Sequence, residues 1–431
     1  MSQTTLKMTA YQKLIIALCY ILNFNDGIDI MLISFSSTKI IEEWGLSKIE
    51  MGYLFSAALA GMTLGGFFIA PLADRLGRKT TFLWALAVES IGMLWIVFTE
   101  SYYMVLVLRF LTGLGIGGLL PTMAATAAEF SSKKYRDFCV GLVQGGWPVG
   151  AILTGLFSAW FIPMYGLRAA FFFAGIISLL MFALVYFFIT DSIEFLAKVK
   201  PKNALEKINR IRKKMNLDAF KTLPTFPSVE PRGYKTLFNR RYLPFTLWAW
   251  LAIFSGFMTL YSILSWVPTL AQESGFSFND SALVGVALNV GAAIGSALIG
   301  YIGGKKGLHK TIFVFMILAF IAMISYGNLP VYSAFVFVQI FLIGLLVQGG
   351  FNGIYPFLSK SYPVEIRSTG IGFSVGFGRF GAILGPSLFG WFFDQGMGMG
   401  SLFLIFSLPL LIMGTAVLFG QKNSPVVEHQ Q

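Results

Sequence analysis

Histidine and cysteine are nearly absent from this chain, two of each in 431 residues. Cys19 and Cys139 lie in or beside apolar stretches at no metal-ligand spacing, so neither a disulfide framework nor a zinc site is expected. With no His cluster and no nucleophile set beside a base, the chain reads as a non-enzyme without cofactor or metal. Charge is scarce as well: Asp, Glu, Lys and Arg make up 12% of the residues, where soluble domains carry about 25%. A soluble fold is therefore excluded. The formal net charge of +12 would suggest nucleic acid in a soluble protein, but here the basic residues collect in particular loops. That pattern is a topology signal, and no nucleic-acid partner is expected.

What the chain has in abundance is apolar: 56% of its residues are hydrophobic and its mean hydropathy is +0.73. Stretches long enough to cross a hydrocarbon core, about 20 residues each, recur from 14–38 to 399–420. They number twelve, which predicts an all-α integral membrane protein in contact with lipid. One long polar segment, 191–241, holds thirteen Lys or Arg against five Asp or Glu. It separates an N-terminal six-helix bundle, 1–190, from a C-terminal bundle and tail, 242–431. Gly113 and Gly344, Arg136 and Arg367, Gly141 and Gly372, and Gly150 and Gly381 are each 231 residues apart, and Gly77 and Gly307 are 230 apart. Such a register predicts two pseudo-symmetric bundles with substrate bound near the midplane between them.

Loops holding Arg75, Arg78 and Lys79, then Lys133, Lys134 and Arg136, then Lys305, Lys306 and Lys310, then Lys360 and Arg367, alternate with loops holding Glu42, Glu43, Glu100, Glu273 and Asp280. The basic loops mark the inner side, so both termini and the linker are expected in the cytoplasm. Lys7 and Lys13 precede the first apolar run as in a signal peptide, but no small-residue cleavage pattern follows, and the run reads as a retained first helix. Within the linker Leu205, Ile208, Ile211 and Met215 recur opposite Lys207, Arg210 and Lys214, the pattern of a short amphipathic helix lying on the inner leaflet.

Asn25-Asp26-Gly27-Ile28-Asp29 sets two carboxylates inside the first span. Each ionised Asp there costs roughly 2.5 to 3.5 kcal/mol on insertion scales, so the two need a partner, a proton or a water-filled cavity. Arg109 in the fourth span cannot shed its charge and needs an anion. At about 1.5 Å per residue, Asp29 and Arg109 fall at broadly similar depth. We expect Arg109 to pair with one of the aspartates and tune its pKa, with proton binding releasing the pair and Asp29 as the preferred carrier. In the eleventh span, Gly376-Phe377-Gly378-Arg379-Phe380-Gly381 has the letters of a dinucleotide loop, but no strand precedes it. Its glycines instead thin a membrane helix so that Arg379 can reach a central cavity and grip a carboxylate bidentately. Gln348 and Asn352 share one helical face, and Trp147, Tyr261, Trp266, Asn289 and Tyr355 could supply stacking and hydrogen bonds. Glu89 in the third span is a buried acid with no evident partner.

The loop Pro71-Leu72-Ala73-Asp74-Arg75-Leu76-Gly77-Arg78-Lys79 and the run Arg109-x-x-x-Gly113-x-Gly115-x-Gly117-Gly118 resemble the inner-loop and fourth-helix motifs of the major facilitator superfamily. Ala70 stands where the family usually has Gly, and Gly304 replaces the acidic residue of the second copy. Asp26-Gly27-Ile28-Asp29, Glu129, Arg367 and Arg379 bring the whole chain closer to the aromatic acid:proton symporter family. The resemblance implies a secondary active transporter that takes up a small, aromatic organic carboxylate with protons by alternating access. It implies proton coupling by Asp26, Asp29, Arg109 and Glu129, substrate binding around Arg379, and gating by Asp74, Arg75, Arg78, Lys79, Arg136 and Arg367. The expected setting is a bacterial inner (plasma) membrane, multi-pass, and the expected form a monomer whose partners are an organic anion, protons and lipid. A symporter for a sugar acid or a dicarboxylate is the first alternative, and a non-transporting membrane sensor the second.

Overall fold

In the computed structural model, residues 8–132, 134–224, 234–328, 335–363 and 365–425 are described, apart from the side chains of Asp74 and Ser368. Lys7 and Lys133 lie outside them. The first half of the chain forms α1 (Ala10–Phe35), α2 (Ser37–Trp44), α3 (Lys48–Phe68), α4 (Ala73–Leu76), α5 (Arg78–Ile96), α6 (Tyr102–Phe130), α7 (Arg136–Gln144), α8 (Gly146–Tyr165) and α9 (Leu167–Phe188). The linker carries α10 (Ile193–Val199) and α11 (Ala204–Lys214). The second half forms α12 (Leu243–Glu273), α13 (Phe278–Lys306), α14 (Leu308–Gly327), α15 (Phe335–Asn352), α16 (Ile354–Ser361), α17 (Arg367–Asp394) and α18 (Met399–Lys422). Ten segments are long and apolar enough to cross a membrane, with α7–α8 and α15–α16 each counting as one. α5 and α17, 19 and 28 residues long, complete the twelve; their hydropathy is diluted by Glu89 and by the glycines around Arg379.

Local signals explain where helices begin. The hydroxyl oxygens of Ser101, Ser192 and Ser277 accept from the backbone N–H groups of Met104, Phe195 and Asp280, satisfying donors that a first turn leaves open. The internal duplication is written in the backbone. The six glycines of positive φ form three pairs, Gly45 and Gly275, Gly77 and Gly307, and Gly166 and Gly396, each 230 residues apart. Gly77 and Gly307, at φ 98° and 88°, immediately precede α5 and α14, where a side chain would be strained.

Helix contacts repeat in the same register. A Cβ at Gly61 or Gly65 on α3 would run into the carbonyl oxygens of Phe110 and Leu114 on α6. On α13, Gly291 and Gly295 meet those of Phe341 and Leu345 on α15 in the same way. Within membranes such small-residue contacts let backbones approach closely, which gains dispersion where no hydrophobic drive between helices exists. Gly65→Ala should therefore destabilise the protein by about 1–3 kcal/mol through overpacking. Gly66→Ala, whose new atom would meet its nearest neighbour at 3.7 Å, should leave the thermal midpoint in detergent unchanged. Equal midpoints for the two variants would contradict the packing account.

Packing sorts the chain into two compact units. The first comprises Met1–Asp29, Gly61–Gly150 and Phe171–Val229. Its core joins Ile15, Leu22, Phe82, Leu119, Phe130 and Ile189 to the linker residues Leu196, Ile208 and Ile211. This corrects the inner-leaflet expectation for α11: Ile208 is 0% exposed and Ile211 5%, so the apolar face is covered by protein, leaving the basic face outward.

The second unit comprises Ile30–Ala60, Ala151–Ala170 and Glu230–Gln431. Within it the late part of α1, α2 and the early part of α3 are stitched to α12 and α17. The Ser34 hydroxyl reaches the Leu264 and Ser265 carbonyls at 2.8 and 2.9 Å, Ser37 meets Thr269 at 2.5 Å, Thr38 donates to Gln272, and Ser56 donates to the Ile383 carbonyl at 2.6 Å. At its rim Lys48 pairs with Glu273 at 3.2 Å and donates its backbone N–H to Asp394 at 3.3 Å.

Candidate functional site

α1 presents Asn25, Asp26 and Asp29 within little more than one turn, and all three are buried. Arg109 of α6, itself 0% exposed, directs one terminal nitrogen at Asp29. It stands 3.3 Å from each carboxylate oxygen and 3.4 Å from the Asp29 carbonyl. Charge-assisted hydrogen bonds usually close to about 2.7–2.9 Å, and the strongest Arg pairs use two nitrogens. Here one nitrogen straddles two oxygens, while the Arg109 Nε has no partner among the described residues. The pair is loose, a form suited to exchange. Asp26 differs: neither of its carboxylate oxygens has a partner among the described residues.

Glu89 on α5 supplies a partner set that the sequence does not reveal. Its Oε1 accepts from the Asn25 amide at 2.5 Å and the Ser178 hydroxyl of α9 at 3.3 Å, and Ser178 in turn bonds Asn25. Asn23 anchors the same stretch of α1 by donating to the Val143 carbonyl at 2.8 Å. Asn25 and Ser178 carry no charge and sit in apolar surroundings, so no sequence signal singles them out.

Glu129 falls at the far end of α6, twenty residues from Arg109, about 30 Å along a helix. There it accepts from Arg78 at 2.9 Å, so it groups with the gating residues and not with Asp29. The Lys79 backbone N–H donates to Asp191 at 3.1 Å, and its ammonium to the Tyr186 carbonyl at 2.5 Å. Burial lifts the Asp191 carboxyl above its usual range despite the Lys79 N–H and the nearby Lys79 and Arg78 charges. Arg75 and Arg136 are exposed, and Arg136 lines a cavity of about 340 Å³ with Glu129, Ser132, Glu194 and Arg212. In the second unit Arg367 donates to the Tyr362 carbonyl at 3.4 Å.

The second unit gathers most of the proposed substrate group. Gly378 and Gly381 press α17 onto α12 at Ile253 and Phe254. The Arg379 guanidinium then lies 5.7 Å from the centre of the Phe257 ring. Phe257 packs with Tyr261 at 5.5 Å and with Phe351 at 4.5 Å, and Phe351 meets Tyr355 edge-on at 6.0 Å. Arg379 and Tyr261 are both within electrostatic reach of Tyr355. Gln348 donates to Asn352 at 3.2 Å, and Asn352 to Ser296 at 2.7 Å, while the Gln348 Oε1 is buried without a partner among the described residues. Phe257 and Phe351 were not anticipated, although their four-residue spacing to Tyr261 and Tyr355 was available as a signal.

Trp266 does not join them. Its indole N–H donates to the Pro386 carbonyl at 3.0 Å and its ring is closed in by Phe55 and Phe389, at 0% exposure. Asn289 is likewise turned inward, donating to Gly285 of its own helix at 2.9 Å. Trp147 is half-buried in the first unit.

Known proteins share this plan. The chain is 30% identical over 421 residues to the gallate transporter of Pseudomonas putida, covering 95% of this chain and 92% of that one. It is 32% identical over 396 residues to the cis,cis-muconate transport protein of Acinetobacter baylyi, covering 90% and 89%. The crystal structure of a D-xylose–proton symporter has the same fold, with a TM-score of 0.74 at 17% identity over 96% of this chain and 98% of that one. Residues 18–358 match the family description Major Facilitator Superfamily. With twelve spans, a duplicated helix register and buried charges in place of a catalytic constellation, the chain belongs to the major facilitator superfamily, as a multi-pass membrane transporter and not an enzyme.

Proposed function

We propose that this protein imports a small aromatic carboxylate together with protons across a bacterial inner membrane, by alternating access, with both termini in the cytoplasm. The observation that carries the reading is Arg379 set among Phe257, Tyr261, Phe351 and Tyr355, a cation beside a set of ring faces. The guanidinium binds the carboxylate and the aromatic side chains receive the ring. The open acceptor on Gln348 suits a ring hydroxyl. The likeness to a gallate transporter supports the same chemistry. Proton coupling falls to the first unit: a proton on Asp29 weakens its hold on Arg109, and Asp26 stands one turn earlier. Arg78–Glu129 and Lys79–Asp191 serve as the inner gate, together with Asp74, Arg75, Arg136 and Arg367.

The likeness to a muconate carrier favours a second reading, an open-chain diacid. Against it, Arg379 is the single Lys or Arg inside a span of the second half, where a second carboxylate would call for another cation. Uptake of labelled benzoate, 4-hydroxybenzoate, gallate, muconate and a sugar acid into proteoliposomes, with and without an imposed pH gradient, separates these. Aromatic monoacids should accumulate several-fold, and only with the gradient. Preference for muconate or the sugar acid would overturn the substrate assignment, and gradient-independent accumulation would overturn symport.

A further inference from the structure

Among the described residues, the charged side chains that are fully buried are Asp26, Asp29, Glu89 and Arg109, all in the first unit. Three carboxyls share one guanidinium. If all were ionised, two negative charges would lie in a low-dielectric interior without a countercharge, so electroneutrality calls for two protons. Arg109 engages Asp29, which leaves Asp26 and Glu89 as the places for them.

Glu89 is built for the task. Its Oε1 is held by Asn25 and Ser178, which fixes the group, while its Oε2 has no partner among the described residues and is free to bear hydrogen. The charged groups acting on it are Asp29 and Asp26 from α1 and Arg109 from α6; α9 contributes only the Ser178 hydroxyl. A purely structural polar contact between α1, α5 and α9 would be served by Gln, which bonds through both its atoms and carries no charge to neutralise.

We propose that Glu89 exchanges a proton in every cycle, as a second carrier beside the aspartates of α1, so that two protons accompany each monoanion. This rests on the symport reading above. The step is simple to balance. A proton from outside forms an O–H bond to the Glu89 carboxylate, that bond breaks toward the inside, and nothing is oxidised or reduced. A second proton travels on the aspartates and one anion crosses, so one net positive charge enters per turnover. Transport then responds to voltage, which a one-proton, one-monoanion cycle does not.

The test uses proteoliposomes and whichever of benzoate, 4-hydroxybenzoate or gallate the wild-type protein accumulates most. At fixed pH gradient, each ~59 mV of inside-negative potential should raise limiting wild-type accumulation about tenfold. Glu89→Gln should accumulate the acid with the pH gradient alone and lose the voltage response. A voltage response equal to wild type in Glu89→Gln overturns the proposal, as does a voltage-indifferent wild type. Both outcomes leave proton coupling itself intact, whereas wild-type accumulation without any gradient sinks the symport reading. If Glu89→Gln accumulates nothing, counterflow exchange of labelled for unlabelled acid decides. Retained exchange supports proton release as the missing step; loss of exchange in a monodisperse protein assigns Glu89 a structural role and overturns the idea.

Discussion

Arg109→Gln is expected to cut gradient-driven accumulation by at least about 30-fold, equivalent to roughly 2 kcal/mol of lost coupling, and to lower the thermal midpoint in detergent. The cause is asymmetric. Asp29 is buried at 3.3 Å from a guanidinium that has no neutral form, and removing one member of a buried pair costs about 3–5 kcal/mol because the other is left uncompensated. Glutamine keeps a donor but brings no charge. Asp29→Asn should fail for the mirror reason, stranding Arg109. The double variant Asp29→Asn/Arg109→Gln removes both charges and should recover much of the lost stability without recovering coupling, a non-additivity of the kind contacting residues display. An Arg109→Gln protein that still concentrates the acid under a pH gradient would take Arg109 out of the coupling mechanism.

Arg379→Lys is expected to raise the half-saturating substrate concentration by about 10- to 100-fold, because hydrogen bonds to charged groups contribute about 1.5–3 kcal/mol and the planar fork cannot be copied by an ammonium. The charge is kept, so stability and orientation in the membrane should hardly change. Lys also gives up the flat face that meets Phe257 at 5.7 Å. Because the carboxylate is bound before any proton is released, the effect should fall on apparent affinity more than on the maximal rate. Wild-type affinity in Arg379→Lys would count against bidentate recognition and move attention to the amides on α15.

The residues that could be read from sequence are those whose chemistry is out of place. Asp26, Asp29, Arg109 and Arg379 are charged within apolar spans, and charge there has few explanations. The duplication was legible through Gly77 and Gly307, although all three pairs of positive-φ glycines emerge only from backbone angles. Phe257 and Phe351 were invisible because the chain has 44 Phe and most of them serve packing. Trp266 misled for the related reason that its polar atom is already engaged by Pro386, 120 residues away. Glu89 was noticed as an acid without a partner because Asn25 and Ser178 lie 64 and 89 residues from it. The helical period of α11 was plain, but the surface beneath it was not, since lipid and a protein core are equally apolar.

The hydroxyl stitching in the second unit has a consequence for how that end of the molecule meets its surroundings. Ser34, Ser37, Thr38 and Ser56 join neighbouring helices through neutral groups, and Lys48–Glu273 at the rim is the ionic contact beside them. Each neutral link contributes about 0.5–1.5 kcal/mol, and none is screened by dissolved ions. A closure made of many small, uncharged links parts one link at a time and should hold equally in dilute and in saline media. On the orientation proposed here it faces the outside, the one side of a bacterial membrane whose ionic strength the cell does not control.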